Sequence, residues 1–154
     1  MSDTPKEVLV IINPVSGQRD QSEVLDEINA FLENAEVKFE VCQTEGEGDA
    51  RRWAKETTAD LIIVSGGDGT VMEAMSGAIE NEADIPLAQL PGGTANLLAR
   101  ALGIPVETQA ALEVSLSGAA VPFDVGYLPE KNLYFSLIAG AGWDARLIED
   151  ATRE

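Results

Sequence analysis

The stretch LIIVSGGDGTVMEAM, residues 61–75, passes from an apolar run through three glycines around Asp68 into a second apolar stretch. The first run has the length and β-branched composition of a buried strand. After the glycines, apolar residues recur at helical spacing, at Val71, Met72, Met75 and Ile79. The stretch therefore predicts a strand, a glycine-rich turn and a helix, with one acidic side chain inside the turn.

The same alternation of strand and helix extends to both sides of this stretch. Further strands are predicted at VLVIIN (8–13), VKFEVCQ (37–43) and PLAQL (86–90). Helices are predicted where apolar residues return at intervals of three and four: after a capping-box pair at Asp20 and Glu23, from an expected cap at Asp49 to about Thr57, and over residues 97–102.

The order βαβαβαβα decides the fold class. Strands separated by helices pair in parallel through right-handed crossovers, and the helices cover both faces of the sheet. We therefore expect an α/β fold of three layers, with a parallel sheet between two layers of helices.

Composition narrows the partners. A chain of 154 residues with 45% hydrophobic and 24% charged residues has the makeup of one ordinary folded domain. Ten basic against twenty-seven acidic residues give a net charge of −17, which repels phosphate backbones, so no nucleic-acid partner is expected. Cys42 cannot form an internal disulfide, and no signal-peptide or membrane-spanning run occurs, so we expect a cytoplasmic protein.

Three turns rich in small residues follow predicted strands: NPVSG (13–17), SGGDGT (65–70) and LPGGTAN (90–96). Each alone fits an ordinary turn, because Gly, Pro, Asn and Ser are common turn formers. Together they fall at the edge of the sheet where ligands bind, and two of them lead into helix N-termini, which favour anions. The combination predicts a phosphate site, with Thr70 and Thr94 as added hydroxyl donors.

Familiar alternatives do not fit the sequence. Neither GxxxxGK[ST] nor GxGxxG occurs, and a chain without histidine and with one cysteine cannot assemble a Ser-His-Asp triad or a typical zinc site. Phosphate would repel a neighbouring carboxylate. Asp68 is therefore expected either to contact Mg²⁺ or to accept a proton from an attacking hydroxyl.

Four segments carry a resemblance to a known family: NPVSG, GGDGTVMEAMSG (66–77), LPGGTANLLARALGIP (90–105) and FSLIAGAGWDA (135–145). In this order they resemble the diacylglycerol-kinase-type lipid kinases, which include sphingosine kinases, and more distantly NAD kinases and phosphofructokinases. The resemblance implies ATP and Mg²⁺ bound at the glycine-rich turns. It also implies transfer of the γ-phosphoryl group to a lipid hydroxyl, diacylglycerol-like or sphingoid.

The resemblance also implies roles for individual residues. Asp68 matches the family's general base or hydroxyl-orienting group. Nucleotide-binding positions are matched by Asn13, Ser16, Gly17, Thr44, Gly66, Gly67, Gly69, Thr70, Thr94 and Asn96. Many relatives read GTGND where this chain reads GTANL, which puts a side-chain role at Leu97 in doubt. For Glu73 a salt bridge and a catalytic role stay open, and Arg100 could meet a phosphate or a neighbouring carboxylate; the Mg²⁺ ligands stay unknown.

In the family a larger, mostly β domain follows the nucleotide domain and supplies the lipid pocket. Residues 1–120 are therefore expected to form the nucleotide-binding domain, and 121–154 the start of an incomplete second domain. Its first strands are predicted at 121–128 and 134–142, joined by the turn PEKN, with a helix beginning at Trp143. Because two strands cannot form an independent domain, we expect a fragment of a longer protein.

Two functions follow. The chain is expected to be the ATP-binding portion of a lipid kinase, incomplete for catalysis alone. The alternative is a non-catalytic regulatory module that binds a nucleotide or phosphate. The open strand edges of 123–142 predict self-association, and membrane contact is expected only through the missing domain.

Overall fold

A computed structural model describes residues 5–17 and 19–136. The chain divides into two compact units, the first ending at Phe123 and the second beginning at Asp124. The first unit is built on four strands: β1 (Glu7–Ile12), β2 (Lys38–Gln43), β3 (Leu61–Gly66) and β4 (Leu87–Pro91). All three strand pairs are parallel and the order is β2-β1-β3-β4, which confirms the predicted α/β class.

Five helices flank this sheet: α1 (Gln21–Asn34), α2 (Asp49–Glu56), α3 (Asp68–Glu80), α4 (Leu97–Leu102) and α5 (Thr108–Ser117). Sequence analysis did not predict α5, although its buried residues recur at helical spacing. This helix packs against α1 and β4. Among the described residues, no helix is long and apolar enough to cross a membrane.

The sheet is buried on both faces. On one face Val10 and Ile63 pack with residues of α1 and α5, and on the other Ile11 and Val64 pack with residues of α2 and α3. All six residues of β3 are buried. A central parallel strand meets helices on both sides, which explains why its sequence is continuously apolar rather than alternating.

The helix N-termini confirm one expectation and correct another. The Asp20 carboxylate caps α1 by accepting a hydrogen bond from Ser22 N at 2.9 Å. Asp49 does not cap α2, since Gly48 (φ 90°) holds the N-cap position. The Asp49 carboxylate instead turns back to accept hydrogen bonds from the backbone N–H groups of Glu45 and Gly46, and these lower its pKa.

The described part of the second unit is a short antiparallel hairpin of β5 (Gly126–Leu128) and β6 (Leu133–Phe135). A single 3₁₀ turn at Pro129–Lys131 joins the strands, and the Tyr127 and Tyr134 rings stack at 4.6 Å. The predicted strand at 121–128 is wrong in its first half, where Pro122 lacks the N–H that a ladder needs. The predicted second strand beyond 136 and the helix from Trp143 lie outside the described residues.

Candidate functional site

The carboxyl ends of the four strands lie side by side along one edge of the sheet. Backbone hydrogen bonds link Thr44 N to Ile12 O (2.9 Å) and Asn13 N to Ser65 O (2.9 Å). A third links Gly92 N to Gly66 O (3.1 Å). The turns that leave these strands therefore begin side by side, where backbone hydrogen bonds still join neighbouring strands.

The chain leaves the two central strands in opposite directions. After β1 it passes to α1 on one face of the sheet, and after β3 it passes to α3 on the other. This reversal between adjacent strands is a topological switch point, and ligands of open parallel sheets bind in the crevice beside it. The first two glycine-rich turns flank that crevice.

Direct contacts hold the three turns together. Asn13 Nδ2 donates to Thr70 Oγ1 at 3.0 Å, which joins the first turn to the second. Gly17 has φ +71°, and a Cβ there would overlap Gly92 O, so only glycine lets the first turn approach the third this closely. A Cβ on Gly93 would lie 2.5 Å from Gly67 Cα, so the backbones of the second and third turns are also in direct contact.

The other predicted positions differ in exposure and in what their side chains bond. Ser16 is half-buried and its Oγ donates to Asn13 O at 2.9 Å. Thr44 is half-buried at the end of β2, and Thr94 is exposed at the tip of the third turn. Gly69 is exposed, with no atom within 4 Å of where its Cβ would lie.

Asn96 is buried and left-handed (φ 48°), and its amide shapes the third turn from within. Its Oδ1 accepts from Gly93 N and its Nδ2 donates to Gly93 O, both at 2.8 Å. The side chain therefore serves the turn itself in this structure. Its contact with a nucleotide stays a prediction.

Asp68 is the first residue of α3 and lies half-buried between the second and third turns. Its Oδ1 accepts a long hydrogen bond, 3.4 Å, from Leu98 N at the start of α4. No described residue bonds to Oδ2. The carboxylate is thus oriented by one oxygen and leaves the other for a ligand.

Glu73 ties the loop after β2 to α3. Its Oε2 accepts from Gly48 N at 2.9 Å, and no described cation pairs with it, so the salt bridge considered from the sequence is absent there. The bond fixes the loop that begins at Thr44. Sequence reasoning missed this role because the two residues are 25 positions apart.

Two further sequence hypotheses concern charge. Arg100 is exposed, and within the described part of the chain no carboxylate forms an ion pair with it, so pairing with a neighbouring acid is not seen. In residues 5–17 and 19–136 no three metal-ligating side chains cluster. Asp68 remains the acidic side chain that lies within the second turn and bonds to Leu98 N just after the third.

A cavity of about 280 Å³ opens beside the third turn, on the α1 and α5 side of the sheet. Arg19, Gln21, Ser65 and Thr108 line it with polar atoms, and no sequence pattern predicts it. These residues come from three separate segments, which only the folded chain brings together.

The geometry agrees with comparisons to known proteins. Residues 7–128 match the family model described as the diacylglycerol kinase catalytic domain. The chain therefore belongs to the diacylglycerol kinase catalytic family, which confirms the resemblance seen in its motifs.

Individual relatives support the same assignment. The chain is 37% identical over 141 residues to a diacylglycerol kinase of Bacillus subtilis (strain 168), covering 89% of this chain and 46% of that protein. It is 34% identical over 140 residues to one of Staphylococcus epidermidis, covering 89% and 44%. The crystal structure of a diacylglycerol kinase from Bacillus anthracis superposes with a TM-score of 0.73 at 36% identity, covering 80% of this chain and 44% of that one. The chain thus spans about half the length of these relatives.

Proposed function

We propose that the chain is the ATP-binding portion of a lipid kinase. In this proposal the γ-phosphoryl group of ATP passes to a lipid hydroxyl, diacylglycerol-like or sphingoid. The observation that carries it is the close packing of the three turns against one another, with Asp68 in the second turn bonded to Leu98 N just after the third. Membership of the diacylglycerol kinase catalytic family supports the same reaction class.

The second turn supplies donors for phosphate. The first bond within α3 runs from Val71 N to Gly67 O (3.1 Å), so the N–H groups of Gly69 and Thr70 precede it. Unpaired N–H groups and the helix dipole favour an anion at this end of a helix of 13 residues. Gly67 and Gly69 let phosphate oxygens approach without meeting a Cβ.

Asp68 would act on the acceptor. As the acceptor oxygen forms its bond to the γ-phosphorus, the bond from that phosphorus to the bridging oxygen breaks and ADP leaves. The acceptor's proton passes to Asp68 Oδ2, while Oδ1 stays oriented by Leu98 N.

The residues present fit Mg²⁺ as part of this site. Mg²⁺ keeps several waters and takes one or two carboxylates together with substrate phosphates, so a cluster of three protein ligands is not required. Asp68 would be the carboxylate that holds it, and the ion would supply neutralisation of phosphate charge. Metal contact and proton acceptance both stay open for Asp68.

The remaining partners follow from length and charge. The lipid pocket and any peripheral membrane contact are assigned to the part of the relatives that this chain does not span. The net charge of −17 argues against nucleic acid. A single cysteine, which cannot form an internal disulfide, favours a cytoplasmic location.

Nucleotide binding can be tested on the 154-residue chain. ATP with Mg²⁺ should raise the melting temperature by mass action, and Gly67→Val should remove that shift. A Cβ at Gly67 lies an ordinary 3.6 Å from Gly93 Cα, so the variant should fold while its branch blocks phosphate. Gly46→Val, whose Cβ meets nothing within 4 Å, is the matched control. Calorimetry showing no ATP binding to the folded wild type would overturn the site.

The role of Asp68 is tested in a longer chain that carries the region the relatives have beyond this match. Asp68→Asn keeps the size and turn propensity but removes the base, so turnover should fall by about 10²–10⁴ with little change in ATP affinity. A purely turn-forming Asp68 would tolerate Asn, because Asn makes the same local hydrogen bonds. ATP binding without activity in the unaltered longer chain would favour the regulatory alternative.

A further inference from the structure

The cavity on the α1 and α5 side of the sheet contains two buried polar atoms that no described residue satisfies. Ser65 is 1% exposed and Gln21 is 7% exposed, and both line the cavity. Neither Ser65 Oγ nor Gln21 Oε1 has a hydrogen-bond partner within residues 5–17 and 19–136. A buried polar group without a hydrogen bond is costly, so a ligand that bonds both atoms would gain binding free energy.

The orientation of the Gln21 amide is fixed by its other end. Gln21 Nε2 donates to Ser16 O at 2.9 Å and to Arg19 O at 3.4 Å. Because these partners are carbonyl acceptors, the nitrogen must face them and Oε1 remains for the cavity. A ligand here therefore has to donate a hydrogen bond to Gln21.

The charges around the cavity favour a neutral ligand. Arg19, the cation that lines it among the described residues, is paired with Glu27 at 2.8 Å and donates to Thr108 Oγ1 at 2.6 Å. No carboxylate lines the cavity in the described part of the chain, so a cation would have no counterion there. An anion would gain little from Arg19, whose charge Glu27 already neutralises, and the net charge of −17 would repel it.

The remaining surface is part apolar and part hydroxyl. Val24, Leu90, Pro91 and Val106 form the apolar walls. Thr108 Oγ1 accepts from Arg19, which leaves its hydrogen to donate. The cavity thus presents the acceptor Gln21 Oε1 and the hydroxyls of Ser65 and Thr108 among apolar side chains. A compound with adjacent hydroxyls, each able to donate and accept a hydrogen bond, matches this arrangement.

We propose that this cavity binds a small neutral polyol, either free or as the glycerol group of a lipid, through Gln21 Oε1 and Ser65 Oγ. It meets the proposed nucleotide site at the third turn, where Thr94 and Asn96 line it, but Asn13, Thr44 and Thr70 do not. Asp68 does not line it either, so the bound hydroxyls are not the phosphoryl acceptor.

The test is a titration of the ¹⁵N-labelled 154-residue chain with glycerol, monobutyrin and 1-propanol, followed by amide NMR. Glycerol should shift the Gln21 side-chain amide and the Ser65 and Thr108 backbone amides saturably, with a Kd on the order of millimolar. The monohydric 1-propanol should not. Tighter binding of monobutyrin than of glycerol would identify a lipid group as the source, and equal binding would identify a free polyol.

Three variants isolate the cavity. Ser65→Ala should weaken glycerol about tenfold through one lost hydrogen bond, while Ser117→Ala, at an exposed hydroxyl on α5, should not. Val106→Trp should block binding from the rim, since Val106 is 72% exposed and the change does not disturb the core. Gly67→Val should leave glycerol binding intact even where it abolishes ATP binding, so the two proposals can fail separately. Absence of saturable shifts, equal shifts with 1-propanol, or displacement of glycerol by ATP would each overturn the polyol assignment.

Discussion

Gly93→Ala tests whether close packing of the second and third turns builds the site. Gly93 is not among the residues with positive φ, so alanine meets no backbone restriction there. Its Cβ would lie 2.5 Å from Gly67 Cα and 3.1 Å from Asn96 Oδ1. Nonbonded carbons normally lie about 3.5–4.0 Å apart, so the two backbones must separate by about 1 Å.

The expected cost is about 1–3 kcal/mol, because a backbone carbon cannot yield as the end of a flexible side chain can. For a domain of this size that lowers the melting temperature by about 2–4 °C for each kcal/mol. Displaced phosphate donors should also weaken ATP-Mg²⁺ binding about ten- to a hundredfold, the worth of one charge-assisted hydrogen bond.

Thermal melts and calorimetry of the 154-residue chain measure both effects. Gly69→Ala is the control for stability: its Cβ meets nothing within 4 Å, and alanine improves helix propensity by up to about 1 kcal/mol. It should melt at or above the wild type. A Gly93→Ala chain that melts with the wild type and binds ATP equally well would show that the turns need not touch.

Three further outcomes are expected. Glu73→Gln weakens the bond from Gly48 N, so hydrogen exchange at Gly48 should quicken while global stability changes little; unchanged exchange would contradict the tie. Glu80→Gln should cost about 1 kcal/mol through its lost ion pair with Arg51. The hydrogen bond from Arg51 lowers the pKa of Glu80 below its usual 4.5, so its contribution is complete above that pH and lost as pH falls through the folded value. Urea titrations of the wild type and the variant should therefore differ less in free energy of unfolding at pH 3 than at pH 7. Self-association through 123–142 should appear as mass that rises with concentration in light scattering; a monomer with rapid hydrogen exchange throughout 123–154 would refute it.

The strand-and-helix alternation of the first unit could be predicted from its sequence because its signals are local. A buried strand shows as an apolar run of about six residues, and a helix shows as apolar spacing of three and four. The Asp20 cap acts over two residues, and it was confirmed. The predicted cap at Asp49 is wrong because its carboxylate accepts hydrogen bonds from the turn that precedes α2 rather than from α2 itself. Residue spacing alone does not distinguish these two arrangements.

Part of the site could also be predicted from the sequence. The three turns are visible as clusters of small residues, and parallel strands bring their carboxyl ends to one edge. Asp68 stood out because a carboxylate beside a phosphate turn needs a chemical reason. These inferences depend on strand direction, which the intervening helices determine.

Only the tertiary structure decided the contacts between distant segments. Asn13 meets Thr70 across 57 positions, and Arg19 meets Thr108 across 89. The cavity needs side chains from α1, β3, the third turn and α5, and no periodicity records which of their polar atoms remain unpaired. Local propensity acts over about four residues, whereas packing selects partners by shape, and those partners become neighbours only after the strands have found their order.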